Sequence, residues 1–202
     1  AGPGLGGSED FGAVAEAFAL LAAATGDAGW LRRAEELVDR AAELFGHDDG
    51  GFYDAADAGL FDRPRSLTDN VTPSGTSALV AALSLVGLLA ERPELVERAD
   101  LAARTTWSPV AESPRLAGAA LADLLVSDEA RRGLRPGVAV VVSNDPFAEL
   151  ARAAWRLVPP GSAVLTAPQG ADGWGTHLEN RPEGAVYVCR GTVCFDPVTD
   201  YN

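Results

Sequence analysis

Apolar and polar positions divide the chain into a helical first part and a mixed α/β last part. Ser8 is a good N-cap, Glu9 and Asp10 stand in the first turn where the helix dipole favours anions, and Gly26 is a stop, so a helix is expected over 9–25. Asp27 caps a second helix at once and Gly46 ends it. Its apolar stripe includes Leu31, Ala34, Val38, Ala41 and Phe45, while Arg32, Arg33, Glu36, Asp39, Arg40 and Glu43 cover the other face. The short link makes these two helices a tight antiparallel hairpin.

The pattern then repeats. Thr72 caps and Pro73 takes the first helical position of an apolar segment ending near Glu91, Pro93 opens a fourth helix, and Ser113 with Pro114 starts a fifth that reaches about Leu125. The first, third and fifth helices are apolar or small almost all round, whereas the second and fourth are amphipathic. Helices apolar on every side are buried and amphipathic ones face solvent. Inner and outer helices alternating as hairpins describe part of an α/α toroid, in which inner helices line a funnel; five helices cannot close such a ring.

Beyond about Arg135 the pattern changes. Val138–Val142 is an unbroken apolar run rich in β-branched residues, as suits a buried strand. Asp145 and Pro146 cap and open a helix, and Pro159-Pro160-Gly161 turns the chain into a second strand over 163–166, completing a small βαβ unit. A terminal β-hairpin is expected from 185–189 with 192–195. The expected fold is therefore mainly α, with a flexible start over 1–7, helical hairpins over 8–130, and a small α/β appendage over 131–202.

Composition narrows the partners. With 47% hydrophobic and 22% charged residues in 202, a globular core is expected. A formal net charge of -13 argues against nucleic-acid or anionic-membrane partners, which are bound by clustered basic residues. A neutral or cationic small molecule fits better. All 16 basic residues other than histidine are Arg, a consequence of codon bias. No stretch reaches the roughly 20 apolar residues of a membrane span, and Ala1–Gly7 lacks the regions of a signal peptide, so a cytoplasmic location is expected. The start without Met on a loose glycine-rich run is read as the sign of a piece of a longer chain.

Candidate chemistry gathers at one rim. If the inner helices are parallel, their N-termini share an end of the funnel, and the connection over 46–71 crosses it. That connection exceeds the ~12–15 residues beyond which a loop is usually functional or disordered. The rim collects Glu9, Asp10, Tyr53, Asp54, Asp69, Asn70, Thr72, Ser74 and Ser77, with Phe52 and Tyr53 available for stacking. Carboxylates, amides, hydroxyls and aromatics mixed in this way suit a sugar-like ligand. The competing reading is structural: Thr72 and Ser74 cap a helix and Asp54 closes a turn. Acid–base catalysis would require two carboxyls, one with a raised pKa, and no catalytic residue is assigned.

His47 and His177 are the only histidines; both fall in expected loops and are read as exposed, and with no second ligand at suitable spacing no metal site is expected. No nucleotide-binding loop or nucleophile elbow is present, and no cofactor is expected. Ser143-Asn144-Asp145 follows a strand where open α/β folds bind ligands, but without glycines it reads better as an N-cap. A turn at Gly191-Thr192 places Cys189 and Cys194 opposite each other at disulfide spacing. In a cytoplasmic chain a pair of packed thiols is favoured over a redox-responsive pair.

The segments GGFYD at Gly50–Asp54, TDNVTPSGTSA at Thr68–Ala78 and VYVCRGTVCFDPVTD at Val186–Asp200 resemble the C-terminal part of thioredoxin-domain-containing proteins of the spermatogenesis-associated type, a family of unknown function. Ser8-Glu9-Asp10-Phe11 is similar to the start of an inner helix there. The resemblance implies a thioredoxin-like domain preceding an (α/α)6 barrel similar to the sugar 2-epimerases and six-hairpin glycosidases. This chain would then correspond to the last half of the barrel with its α/β insertion and tail. The barrel enzymes use funnel histidines as acid and base, and no histidine falls in the matching motifs here. Two functions are expected. One is half of a barrel with a carbohydrate-type pocket at the rim. The other is a non-catalytic interaction module that completes a barrel with its N-terminal half, or another protein chain, and a thioredoxin-like domain.

Overall fold

A computed structural model describes residues 6–57, 62–131, 137–191 and 193–199. The expected loose start over 1–5, the 132–136 junction, Thr192 of the terminal turn and Asp200 lie outside the described residues. The helices are α1 (Ser8–Thr25), α2 (Ala28–Phe45), α3 (Gly75–Leu89), α4 (Pro93–Arg104), α5 (Trp107–Glu112), α6 (Gly118–Arg131) and α7 (Glu149–Leu157). The strands are β1 (Val138–Val142), β2 (Ala163–Ala167), β3 (Val186–Arg190) and β4 (Val193–Cys194). The protein is mainly α with one small sheet.

Helix α1 is the hub, packed on α3, α2 and β2. Ser8 and Gly12 meet α3, and Ala15, Ala19 and Ala22 continue a stripe of small buried residues at helical spacing. Small side chains let two helix backbones approach closely: a Cβ added at Gly12 would lie 2.5 Å from the carbonyl carbon of Ala78. Ser8 likewise abuts Gly75, so α1 and α3 start at the same level and run parallel. On the side toward α2 the packing is aromatic, with Phe11 edge-on to Phe45 at 5.2 Å and Phe18 against Trp30 at 5.2 Å. Full burial of a side chain such as Phe45 stabilises by roughly 1.5–3 kcal/mol. Helix α2 and the start of α4 are joined through Arg92, whose guanidinium donates to both carboxylate oxygens of Asp39 at 3.0 Å and to Glu94 at 2.8 Å.

Several helix starts differ from expectation because the capping bonds are made elsewhere. Ser8 is inside α1; Gly7 caps, and the Asp10 carboxylate accepts from its N–H at 2.8 Å. Ser74, not Thr72, caps α3, its hydroxyl accepting from the Ser77 N–H at 3.2 Å, so Pro73 stands outside the helix. The expected fifth helix from Ser113 is instead a 3-10 turn over Pro114–Leu116 followed by α6, and the short α5, which was not expected, precedes it. Pro146 does not open α7. The Asp145 carboxylate accepts from Phe147 N–H at 2.9 Å, which closes a turn, and the helix starts three residues later.

Strands β1 and β2 pair in parallel with α7 between them in sequence, and β3 adds antiparallel to the other side of β1, giving the order β2-β1-β3-β4. The terminal hairpin is thus part of the sheet. Both faces of β1 are covered, which explains an unbroken apolar run rather than an alternating one. Val138, Val140 and Val142 face the helices with Ala163, Leu165 and Ala167, whereas Ala139, Val141 and Val164 pack under α7. The inner face of the sheet belongs to the helical core. Buried Trp174 reinforces this join by donating its indole N–H to the Gly26 carbonyl at 3.0 Å. Glu91, at the α3–α4 turn, adds a second clasp by accepting from the Thr176 N–H at 2.8 Å and from its hydroxyl.

Candidate functional site

The N-termini of α1, α3 and α6 gather at one end of the molecule. Asp69 ties two of them: one carboxylate oxygen accepts from the Ser74 N–H at 3.0 Å and the other from the Ala119 N–H at 2.8 Å. The Asp69 N–H in turn donates to the Leu116 carbonyl at 2.7 Å. The long loop reaches α1 at the same end, where Ser8 N–H donates to the Asp54 carbonyl at 3.0 Å. An open cleft of about 430 Å³ lies here, lined by Asp69–Pro73 and by Arg115, Leu116, Gly118 and Ala119.

The residues singled out in the sequence separate into distinct groups. Asp69, Asn70 and Thr72 line the cleft, and Ser74 and Ser77 are buried behind it. Glu9 and Asp10 are exposed at the start of α1, where Asp10 serves as a cap. Asp54 is occupied by Ser66, accepting from its N–H and its hydroxyl, each at 2.8 Å. Tyr53 is covered rather than offered for stacking, with the Arg63 guanidinium 3.9 Å above its ring and His47 at 4.8 Å on it. Phe52 is 1% exposed in the core beneath Arg98, so it cannot stack on a ligand.

Both histidine readings need revision. His47 is half-buried and bonded to Asp49 at 2.9 Å. His177 is buried, with Nε2 3.1 Å from the Leu88 carbonyl. Burial holds its pKa below the ordinary 6.5, against the opposing pull of Glu91. The cysteines are not two packed thiols. Cys189 and Cys194 face each other directly across β3 and β4 and are joined as a disulfide. The Cα separation of 4.0 Å imposed by that register puts the sulfurs in bonding reach.

The group with the strongest electrostatic perturbation, Asp123, belongs to none of the motifs of the sequence. Asp123 lies on α6 one turn below Ala119, hence beneath the cleft. Burial pushes its carboxyl up to about 7, the nearby Ser77 hydroxyl offsets part of that rise, and the charges of Asp69 and Glu16 add to it. Glu16 of α1 is also raised by burial. Thus α1, α3 and α6 each contribute one polar group, Glu16, Ser77 and Asp123, toward the same interior. A signal for this existed: Glu16 and Asp123 are single carboxyls in otherwise apolar helical runs, and such residues are strong site candidates. Asp123 can hold a proton near neutrality, so it can donate a hydrogen bond or exchange a proton, while Asp69, saturated by backbone N–H groups, acts as a fixed acceptor.

No known family profile matches the chain, and no curated protein matches it. Among the described residues no helix is long and apolar enough to cross a membrane, and no cluster of three or more acidic, histidine or cysteine side chains is placed to hold a metal ion.

Proposed function

We propose that the chain is the C-terminal half of an α/α-barrel protein of the thioredoxin-domain-containing, spermatogenesis-associated type, and that it takes a carbohydrate-type small molecule at the rim where its inner helices begin. The observation that carries this reading is Asp123, a half-buried carboxyl titrating near 7 between Ser77, Asp69 and Glu16. A protonated carboxyl one turn below Ala119 of the cleft wall supports a polar floor under Asn70 and Thr72, whose amide and hydroxyl line the cleft and offer donor and acceptor positions to a polyhydroxyl ligand. The acidic balance of the chain favours such a neutral ligand over an anion. Calorimetry and thermal shifts against a panel of mono- and disaccharides, using the protein expressed from its whole reading frame, test the proposal. Binding that weakens at least tenfold in Asp123→Asn supports it. No binding in the panel, or binding indifferent to both Asp123→Asn and Asn70→Ala, refutes it.

A second reading has its own observation. The α1 face opposite α3 is apolar yet exposed, with Val14, Leu20 and Leu21 at 44%, 39% and 38% exposure and Ala13, Ala17 and Ala24 between them. Leu125 of α6 is 58% exposed. Such faces are what an inner-helix layer presents before the remaining hairpins cover it, which favours an interaction module completed by the N-terminal half of the barrel or by another protein chain. Gel filtration and co-purification from the native host decide this: a compact monomer without partner counts against it.

A further inference from the structure

The Cys189–Cys194 disulfide has an unusual neighbour. The Arg181 guanidinium places Nη2 3.1 Å from the Cys189 sulfur and 3.0 Å from the Cys194 sulfur, so one cationic nitrogen spans the bond. Its carbon also lies 5.1 Å from the centre of the Tyr187 ring. Among the described residues no carboxylate is within ion-pair distance of Arg181, and its Nη1 is buried without a partner. A guanidinium normally finds a carboxylate, in a chain with 29 acidic and 16 basic residues most of all. Glu91 attracts it from beyond ion-pair distance, but the side-chain groups it touches directly through Nη2 are the two neutral sulfurs, which attract it strongly only when one of them becomes a thiolate. The two sulfurs are also unequal: Cys194 is exposed on the short strand β4, whereas Cys189 is 4% exposed in β3.

We propose that Cys189, Cys194 and Arg181 form a thiol–disulfide exchange site that reacts with small thiols, independently of the rim pocket. A thiolate attacks the exposed Cys194 sulfur; its bond to that sulfur forms as the Cys189–Cys194 bond breaks, and the electron pair leaves on Cys189. Arg181 stabilises this leaving thiolate, and a leaving thiol of lower pKa departs faster. A second thiolate then attacks the small-molecule sulfur of the mixed disulfide and releases Cys194 as a thiolate. In balance, two thiols give up two electrons to the protein disulfide, leaving two protein thiols and one small-molecule disulfide, with the protons of the reacting thiols passing to Cys189 and Cys194. Arg181 is a positioning residue for charge and is not itself transformed.

Reduced glutathione is the probe, applied to the oxidised chain at pH 7 with rates read by alkylation and mass spectrometry. A nearby cation shifts a thiol by ~1–3 pH units, and exchange rates follow thiol pKa with a sensitivity of roughly one half, so Arg181→Gln is expected to slow reduction ~3–30-fold. Arg181→Lys retains most of the rate. The first glutathione adduct is expected on Cys194. Reduction of Arg181→Gln at the wild-type rate, or an adduct mainly on Cys189, overturns the proposal. Should Arg181→Gln fail to fold, the Cys189 thiol is titrated by ultraviolet absorbance in reduced Cys194→Ser. A pKa below the ordinary value of about 8.5 upholds the proposal, and one at or above it refutes it.

Discussion

Asp123→Asn tests the site and the packing beneath it together. The native carboxyl titrates near 7 against an ordinary value of 3.8, chiefly because burial disfavours its charge. A group whose native pKa is raised contributes its full stability below the unfolded value and loses it as pH rises through the native value. Between about pH 4 and 7 the native protein therefore holds a proton that the unfolded chain releases, and stability falls across that window. At about 1.4 kcal/mol per pH unit the gap corresponds to roughly 4 kcal/mol, and partial solvent access to this half-buried side chain reduces the expected loss to ~2–4 kcal/mol. Asparagine keeps the shape and stays neutral at every pH. Urea unfolding followed by circular dichroism should find Asp123→Asn ~2–4 kcal/mol more stable than the native protein at pH 8 and within ~1 kcal/mol of it at pH 4. Taking the difference between the two proteins at each pH removes the titration of all other carboxyls. A difference that does not change with pH, or a variant less stable at pH 8, would show that Asp123 carries no buried charge.

Two other consequences concern the scaffold. Gly12→Ala puts a methyl 2.5 Å from the Ala78 carbonyl carbon, a backbone atom that cannot turn aside, so a net loss of ~1–2 kcal/mol is expected despite the better helix propensity of alanine. Gly118→Ala, with no atom within 4 Å of the added carbon, should be neutral or slightly stabilising; a thermal melt of the pair in which Gly12→Ala is the more stable would refute the close α1–α3 approach. His177 is held neutral by burial, so stability should fall as pH drops below about 6.5, where the unfolded chain takes up a proton that the native one resists. His177→Gln should flatten that segment of the stability profile; an unchanged slope would mean that the ring is already charged in the native state.

The apolar periodicity of 28–45, the amphipathic stripe of 93–104 and the β-branched runs at 138–142 and 163–166 determined their elements, because burial of a continuous stripe or run acts over many residues at once. The distinction between all-apolar α1 and α3 and amphipathic α2 and α4 was legible for the same reason. The rim cluster was legible in part: Asp69, Asn70 and Thr72 do share a cleft. Other assignments needed partners distant in sequence. Phe52 entered the core and Tyr53 was covered because Arg63 and Arg98 reach them from elsewhere, and a composition of stacking residues does not say which side they face. Ser74 rather than Thr72 capped α3 because Asp69 also fixed the Ser74 N–H. The perturbation of Asp123 exists only once α1, α3 and α6 meet, since a carboxyl on an isolated helix is solvated and titrates normally. The disulfide depended on the β3–β4 register, and the cation resting on it on the fold of the preceding loop. The sequence by itself determined which surfaces had to be buried. Tertiary structure alone decided which polar groups were buried with them, because the cost of removing a charge from water depends on every neighbour that replaces the water.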